Sequence, residues 1–342
     1  MKPQPRILVV GAGITGVAAA EVLVNAGLSV AVHDMGENPG GRLAVRDLAN
    51  TSTQWDGHIV DVGAAYFTVS DADFAQCVAT WQEAGLVRPW FDTCTVVEST
   101  GTERRTGPLR WATAQGLRSV VRAQLQTLAE NTSVSAHFVS RVEGITSTVD
   151  GVAVTFAGAS EPQHFDAVVV ACPDPQALRV LGSADFPELT ATLQASIWQP
   201  IISETLVFDA RMWSDDDFWF VNDSPTISSI ADDGRRRGDD AAVLVAHSTP
   251  ELARQYYDNP ASAAPLMQAE VARVLGISMD IRHNITKRWG LAHPGQTHGQ
   301  HFGIAHEGRV VVCGDSWGER PRIESAWLSG RAAARAVVAA LG

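Results

Sequence analysis

Six residues near the start of the chain, Gly11-Ala12-Gly13-Ile14-Thr15-Gly16, set three glycines at the spacing G-x-G-x-x-G. The first glycine permits a tight turn, the second lets backbone approach a diphosphate, and the third allows a helix to pack closely on a strand. A helix opening at about Thr15 would aim its N-terminal amides, with roughly half a positive charge, at the phosphates. Asp34, with Met35 beside it, ends the next apolar run, where a carboxylate can accept hydrogen bonds from ribose hydroxyls. Any dinucleotide could use that much. A second stretch, Gly40-Gly41-Arg42 with Arg46 four residues on, adds a tight turn and two guanidiniums. On a helical turn both arginines would share a face, and their planar forks suit phosphate oxygens gripped from the other side. The pair of motifs points to FAD.

Near the other end, Gly314-Asp315 follows an apolar run at 310–313, and residues 323–330 lead into a helix expected over 326–341. Reduced flavin carries negative charge around N1 and O2, and backbone N–H groups at that helix start would stabilise it without a titrating side chain. Tyr66, Trp289 and Trp327 could wall a flat substrate or simply fill core. Lys287 could orient a water at flavin N5 or lie along the surface as a snorkelling side chain. These make Tyr66, Trp289 and Lys287 the catalytic candidates. His293, His298, His301 and His306 crowd one stretch, but without nearby carboxylates no metal is expected.

The elements that must position these groups alternate in an α/β pattern. Residues 7–10 form a short apolar run, 15–25 an Ala-rich helix stopped by Gly27, and 29–33 a second strand. Leu117, Val120, Val121, Leu125 and Leu128 recur at helical spacing within 116–129, so one face is core. Residues 142–146 and 151–156 pair as strands around the turn signal Asp150-Gly151, and 167–171 reads as a buried strand ending at Pro173. Residues 232–240 look like a charged loop. The expected division is an FAD-binding domain of residues 1–70, 107–173 and 300–342, with an inserted α+β substrate domain of residues 71–106 and 174–299.

The chain has 342 residues, 45% hydrophobic and 19% charged, which suits two soluble globular domains rather than disorder. A net charge of −12 repels phosphate backbones and acidic lipid, so nucleic acid and membrane are not expected partners. Cys77, Cys94, Cys172 and Cys313 are scattered without CxxC spacing, which fits a reducing, cytoplasmic setting.

Several of these segments together resemble a known family. Val32-His33-Asp34, the run from Gly40 to Arg46, Asp61-Val62-Gly63-Ala64-Ala65-Tyr66-Phe67-Thr68, and Gly314-Asp315 with Glu324-Ser325-Ala326-Trp327-Leu328-Ser329-Gly330 look like renalase and its bacterial relatives, within the flavin amine oxidase superfamily. The likeness continues through Ala171-Cys172-Pro173-Asp174-Pro175-Gln176-Ala177 and Ala246-His247-Ser248. It implies a Rossmann-type FAD-binding domain of the glutathione-reductase and amine-oxidase type. Gly11, Gly13 and Gly16 with Arg42 would hold the diphosphate, Asp34 the adenosine ribose, and the Val142 backbone the adenine. Asp315 would face the diphosphate and ribityl region, and Ala326, Trp327 and Leu328 the isoalloxazine. Ile14, Thr15, Met35, Gly41, Arg46, Gly63, Ala64, Gly314 and Ser325 complete the expected cofactor set. FAD would be non-covalent, since no Cys lies in the Ser329-Gly330 segment. The implied activity is an oxidase taking hydride from a flat reduced molecule, such as a dihydro isomer of NAD(P)H, and passing electrons to dioxygen. Amine oxidation, or flavin binding without turnover, are the alternatives. Two segments depart from the family: Arg288-Trp289-Gly290-Leu291-Ala292 stands where Arg-Trp-Arg-Tyr-Ala is common, and Ser229 stands in place of a usual Trp.

Overall fold

The computed structural model describes residues 4–342, which fall into two compact units. The first comprises Met1–Gly41, Val120–Trp198 and His293–Gly342, and the second Arg42–Ser119 and Gln199–Ala292. These boundaries differ from the expected ones: residues 42–70 and 107–119 group with the second unit, and residues 174–198 and 293–299 with the first.

Six strands build the main sheet of the first unit, in the order Gly303–Ala305, Val310–Val312, Ala167–Val170, Arg6–Val10, Ser29–His33 and Val134–His137. All neighbours run parallel except the edge strand Gly303–Ala305. Val9 pairs with Val169 on one side and Val32 on the other, and Ile7, Leu8 and Val9 have no exposed surface. Uninterrupted apolar runs of this kind are what a parallel strand covered on both faces requires. The expected hairpin forms as Val142–Ser147 and Val152–Phe156, joined by Gln163–Phe165 in a three-stranded sheet. The result is a Rossmann-type layered α/β unit.

Helices Ile14–Asn25 and Ile323–Leu341 cross closely enough that a Cβ on Gly330 would lie 2.2 Å from the Thr15 carbonyl oxygen. Only glycine fits that crossing. The second of these helices starts three residues earlier than expected, because Ile323 and Glu324 already hold helical geometry after an extended Arg322.

In the second unit a seven-stranded sheet runs His283–Pro294, Trp198–Val207, Val243–Ser248, Ile227–Asp232, Phe218–Val221, Arg88–Glu98 and Gly101–Ala112. Its core gathers Ile202, Leu206, Trp219, Ile230, Leu244 and Met267. Of the segment expected as a charged loop, residues 232–237 are largely buried and only residues 238–240 are exposed. Asp232 caps a short helix, Asp233–Arg237, by accepting a hydrogen bond from the Arg235 amide at 2.9 Å. Asp233, fully buried, takes both Arg236 and Arg237 and lies 2.7 Å from His58 Nε2, while Arg237 also pairs with buried Asp61. Gly234 permits this fold-back, since a Cβ there would meet the Ala241 amide and carbonyl within 2.3 Å. Charge density made the segment look solvated, but its signs pair internally and so it can be buried. Among the described residues no helix is long and apolar enough to cross a membrane.

Candidate functional site

The two glycine stretches meet in the first unit. Gly11, at φ +108°, donates to the His33 carbonyl at 2.7 Å, and a Cβ there would sit 2.5 Å from the Ala171 carbonyl oxygen. Gly16 has still less room, with Gly11 O only 1.9 Å from a built Cβ. Gly40 donates to Ala12 O at 2.8 Å, which brings Gly41 beside Gly13.

Gly13 is different: it adopts an ordinary φ of −79°, and nothing lies within 4 Å of where its side chain would be. The helix that follows has no side-chain N-cap and no acidic residue in its first turn, so Ile14, Thr15 and Gly16 offer amides without a local anion. An open space over a glycine, facing uncapped helix amides, is a cradle for a diphosphate. Asp34 accepts from the Ala12 and Gly36 amides, both at 2.7 Å. Each carboxylate oxygen keeps a further acceptor site for a ribose hydroxyl. His33 beside it is pushed down to about 4, mainly by burial and secondarily by His137 stacked at 4.4 Å, so it brings no charge to this corner at neutral pH. Met35 is exposed, and the Val142 side chain is buried in the core at the start of its strand.

At the far edge of the same unit Gly314 is again open, with no atom within 4 Å of a built Cβ, and its amide donates to Ser329 Oγ at 2.9 Å. Asp315 is buried. The next residue, Ser316, donates to Asp174 at 2.9 Å, as do Ser196 at 2.8 Å and His298 at 3.0 Å. Burial would push the Asp174 carboxyl up, but these three hydrogen bonds outweigh it and hold the pKa below the ordinary range. Asp174 thereby pins the turn that carries Asp315. Ala326 and Trp327 are buried, Ser325 and Leu328 half-buried, and the Arg331 guanidinium covers the Trp327 ring at 4.6 Å.

Within the second unit Gly63-Ala64 lies against the Arg42 main chain: Ala64 donates to Arg42 O at 3.0 Å, and a Cβ on Gly63 would reach the same oxygen at 2.0 Å. Arg42 Nη1 donates to Ala292 O at 3.0 Å. The expected helical face shared by Arg42 and Arg46 does not form. Only Gly41–Leu43 makes a single 3-10 turn, and Arg46 lies exposed in the strand Val45–Asp47, paired with Ile59–Asp61. β-Branched Val45 favours the strand there.

Trp289 is held by a 2.6 Å hydrogen bond from Nε1 to Val62 O, with Lys287 Nζ 5.5 Å from its ring centre. Tyr66 stands apart from that pair in an aromatic patch, edge-on to Phe91 at 6.0 Å and to Phe218 at 5.4 Å. Burial pushes the Tyr66 phenol up, partly offset by the Arg110 guanidinium beside it. The clustered histidines disperse: His298 goes to Asp174, His306 to Gly151 O, and His293 to Pro294 O. Sequence reasoning missed Arg110 and the Asp174 node, because their partners lie far away in the chain. A lone Pro-Asp-Pro or an arginine at a strand end carries no local signal of its contacts.

With this geometry in place, two comparisons assign the class. Residues 9–80 match the NAD(P)-binding Rossmann-like domain, and residues 83–338 match the flavin containing amine oxidoreductases. The chain belongs to the flavin-containing amine oxidoreductase family and is an FAD-dependent oxidoreductase. Cyclohexylamine oxidase from Brevibacterium oxydans shares the fold with a TM-score of 0.79 at 13% identity, over 99% of this chain and 100% of that one. A putrescine oxidase bound to putrescine gives a TM-score of 0.74 at 17% identity, over 98% and 99% of the two chains. Polyamine oxidase 1 of Oryza sativa subsp. japonica is 42% identical over 66 residues, which span 18% of this chain and only 12% of the relative.

Proposed function

We propose that the protein is an oxidase that takes two electrons from a flat, reduced small molecule, of the kind a renalase-like dihydro isomer of NAD(P)H represents. FAD, bound non-covalently, supplies the electron acceptor: the donor loses a hydride, and with one proton from water dioxygen leaves as hydrogen peroxide. The chain's part is to bind and orient. In the first unit the open glycines and uncapped amides hold the diphosphate, and Asp34 fixes the ribose. In the second unit the rings around Tyr66 give a flat donor apolar faces and exclude water from them. No general base is demanded of a dihydropyridine, whose carbon releases hydride without prior loss of a proton.

The observation that carries this reading is the aromatic patch in which half-buried Tyr66 stands edge-on to the buried rings of Phe91 and Phe218. A second reading, oxidation of an amine, is supported by the family match and by the polyamine oxidase segment. An anaerobic screen of dihydropyridine isomers and common amines, watched at the flavin absorption band, separates the two. Bleaching by a dihydropyridine is the expected result, and bleaching by amines alone overturns it. Acid precipitation should leave the flavin in the supernatant, as a non-covalent cofactor requires.

A further inference from the structure

Arg110 is a cation without a counter-ion in the second unit. It sits on the edge strand Gly101–Ala112 opposite Phe91, with its guanidinium carbon 5.2 Å from the Phe91 ring centre and 5.8 Å from those of Tyr66 and Phe220. Nη1 donates to the backbone carbonyls of Pro108 at 2.8 Å and Asp92 at 3.4 Å, while buried Nε has no partner. Among the described residues no carboxylate lies within ion-pair distance of it. Three other arginines of the unit have carboxylates: Arg211 has Asp232 at 2.8 Å, and Arg236 and Arg237 share Asp233. Arg88, half-buried like Arg110, likewise meets only carbonyls, those of Arg235 and Arg236, but no ring among the described residues lies under its guanidinium. In a chain of net charge −12, carboxylates are plentiful and one is nevertheless kept away from this position.

Arg110 and two of the three rings it adjoins, Tyr66 and Phe220, remain partly exposed, with Phe91 buried beside them. A guanidinium stacked over rings loses part of its hydration, which strengthens its attraction for an anion, and its planar fork matches a carboxylate. The rings beside it favour a flat body on the same ligand.

We propose that Arg110, with Tyr66, Phe91 and Phe220, forms a specificity subsite for a carboxylate or similar planar anion carried on a flat ring. The inference rests on reading this aromatic patch as the donor-binding surface. It also makes a choice among donors: a diamine would meet an uncompensated positive charge here, and an anionic ring compound would neutralise it.

Calorimetric titration of the FAD-loaded enzyme with benzoate, and with benzylamine as the cationic counterpart, tests this. Benzoate should bind, benzylamine should bind at least about tenfold more weakly, and added salt should weaken benzoate only. Arg110→Met should weaken benzoate by about tenfold or more, and Arg110→Lys, which keeps charge but loses the fork, by less. Flavin absorbance and melting temperature report whether each variant is folded. If Arg110→Met does not fold, Arg110→Lys and the salt series decide. Absence of benzoate binding at millimolar concentration, or equal affinity in the folded variants, overturns the subsite. No bleaching of the flavin by any dihydropyridine of the anaerobic screen, alongside Arg110-dependent benzoate binding, would instead overturn the proposed reaction and leave the subsite standing.

Discussion

Replacing Gly13 and Gly16 one at a time by alanine separates cofactor binding from folding. Both belong to one motif, yet their surroundings are opposite. At Gly16 a Cβ would lie 1.9 Å from Gly11 O and 3.0 Å from its carbon, whereas real Cβ contacts stay beyond 3.0 Å, so backbone must shift by about an ångström. Overpacking of this kind costs about 1–3 kcal/mol, and a bound cofactor is not needed to feel it. At Gly13 φ is already −79° and no atom lies within 4 Å, so alanine introduces no strain. Reduced freedom of the unfolded chain should even stabilise the apoprotein by roughly 0.4–1 kcal/mol. The new methyl group then occupies the space over the uncapped amides, and displacing the diphosphate by enough to lose one charge-assisted hydrogen bond, about 1.5–3 kcal/mol, weakens FAD roughly ten- to a hundredfold. Urea unfolding of the apoproteins and fluorescence titration with FAD measure the two quantities separately. Gly16→Ala should lower apoprotein stability, and Gly13→Ala should spare it while weakening FAD. Gly13→Ala binding FAD with wild-type affinity would refute the cradle, and Gly16→Ala as stable as wild type would refute the close-packing reasoning.

Other perturbations address the second unit. Asp233→Asn should cost about 3–5 kcal/mol by leaving two buried guanidiniums to share the single carboxylate of Asp61, and at 2–4 °C per kcal/mol for a domain of this size that is a fall of roughly 6–20 °C in melting temperature; a fall under about 2 °C would contradict it. His58, whose burial would lower its pKa, is raised on balance by the Asp233 hydrogen bond and the charges of Asp233 and Asp239. Its contribution to stability is therefore fully present below the unfolded value of about 6.5 and is lost as pH rises through the higher folded value. Urea midpoints at pH 6 and pH 9 should differ more in wild type than in His58→Gln, and equal differences would show that His58 does not link stability to pH.

The dinucleotide half was legible because its signals are local. Gly11, Gly13, Gly16 and the strand-ending Asp34 lie within one supersecondary unit, where a tight turn and a helix start need particular residue types at fixed spacing. Leu117 to Leu128 were readable for a similar reason, since helical periodicity marks a buried face, and all five are buried. Arg46 was misplaced because a spacing of four implies a shared face only on a helix, and the pairing of Val45 with Asp61 made a strand. The segment around Asp233 was misread because composition reports charge but not pairing: His58 and Asp61 come from well over a hundred residues earlier in the chain. Arg110 illustrates the same limit, its rings being supplied by three separate segments.

The crossing of helix Ile14–Asn25 with helix Ile323–Leu341 has a consequence for how the protein is made. Thr15 and Gly330 meet across some three hundred positions of sequence, and on one side the first strand pairs with residues 167–170, which pair in turn with residues 310–312. During synthesis the glycine loop and its helix emerge early and must wait, with one face uncovered, until nearly the whole described chain has left the ribosome. The residues of the second unit are made in the interval and can form their own core first. FAD capture is thus a late event, and the long-separated contacts that delay it also make the nucleotide half the portion most exposed to misassembly while synthesis is under way.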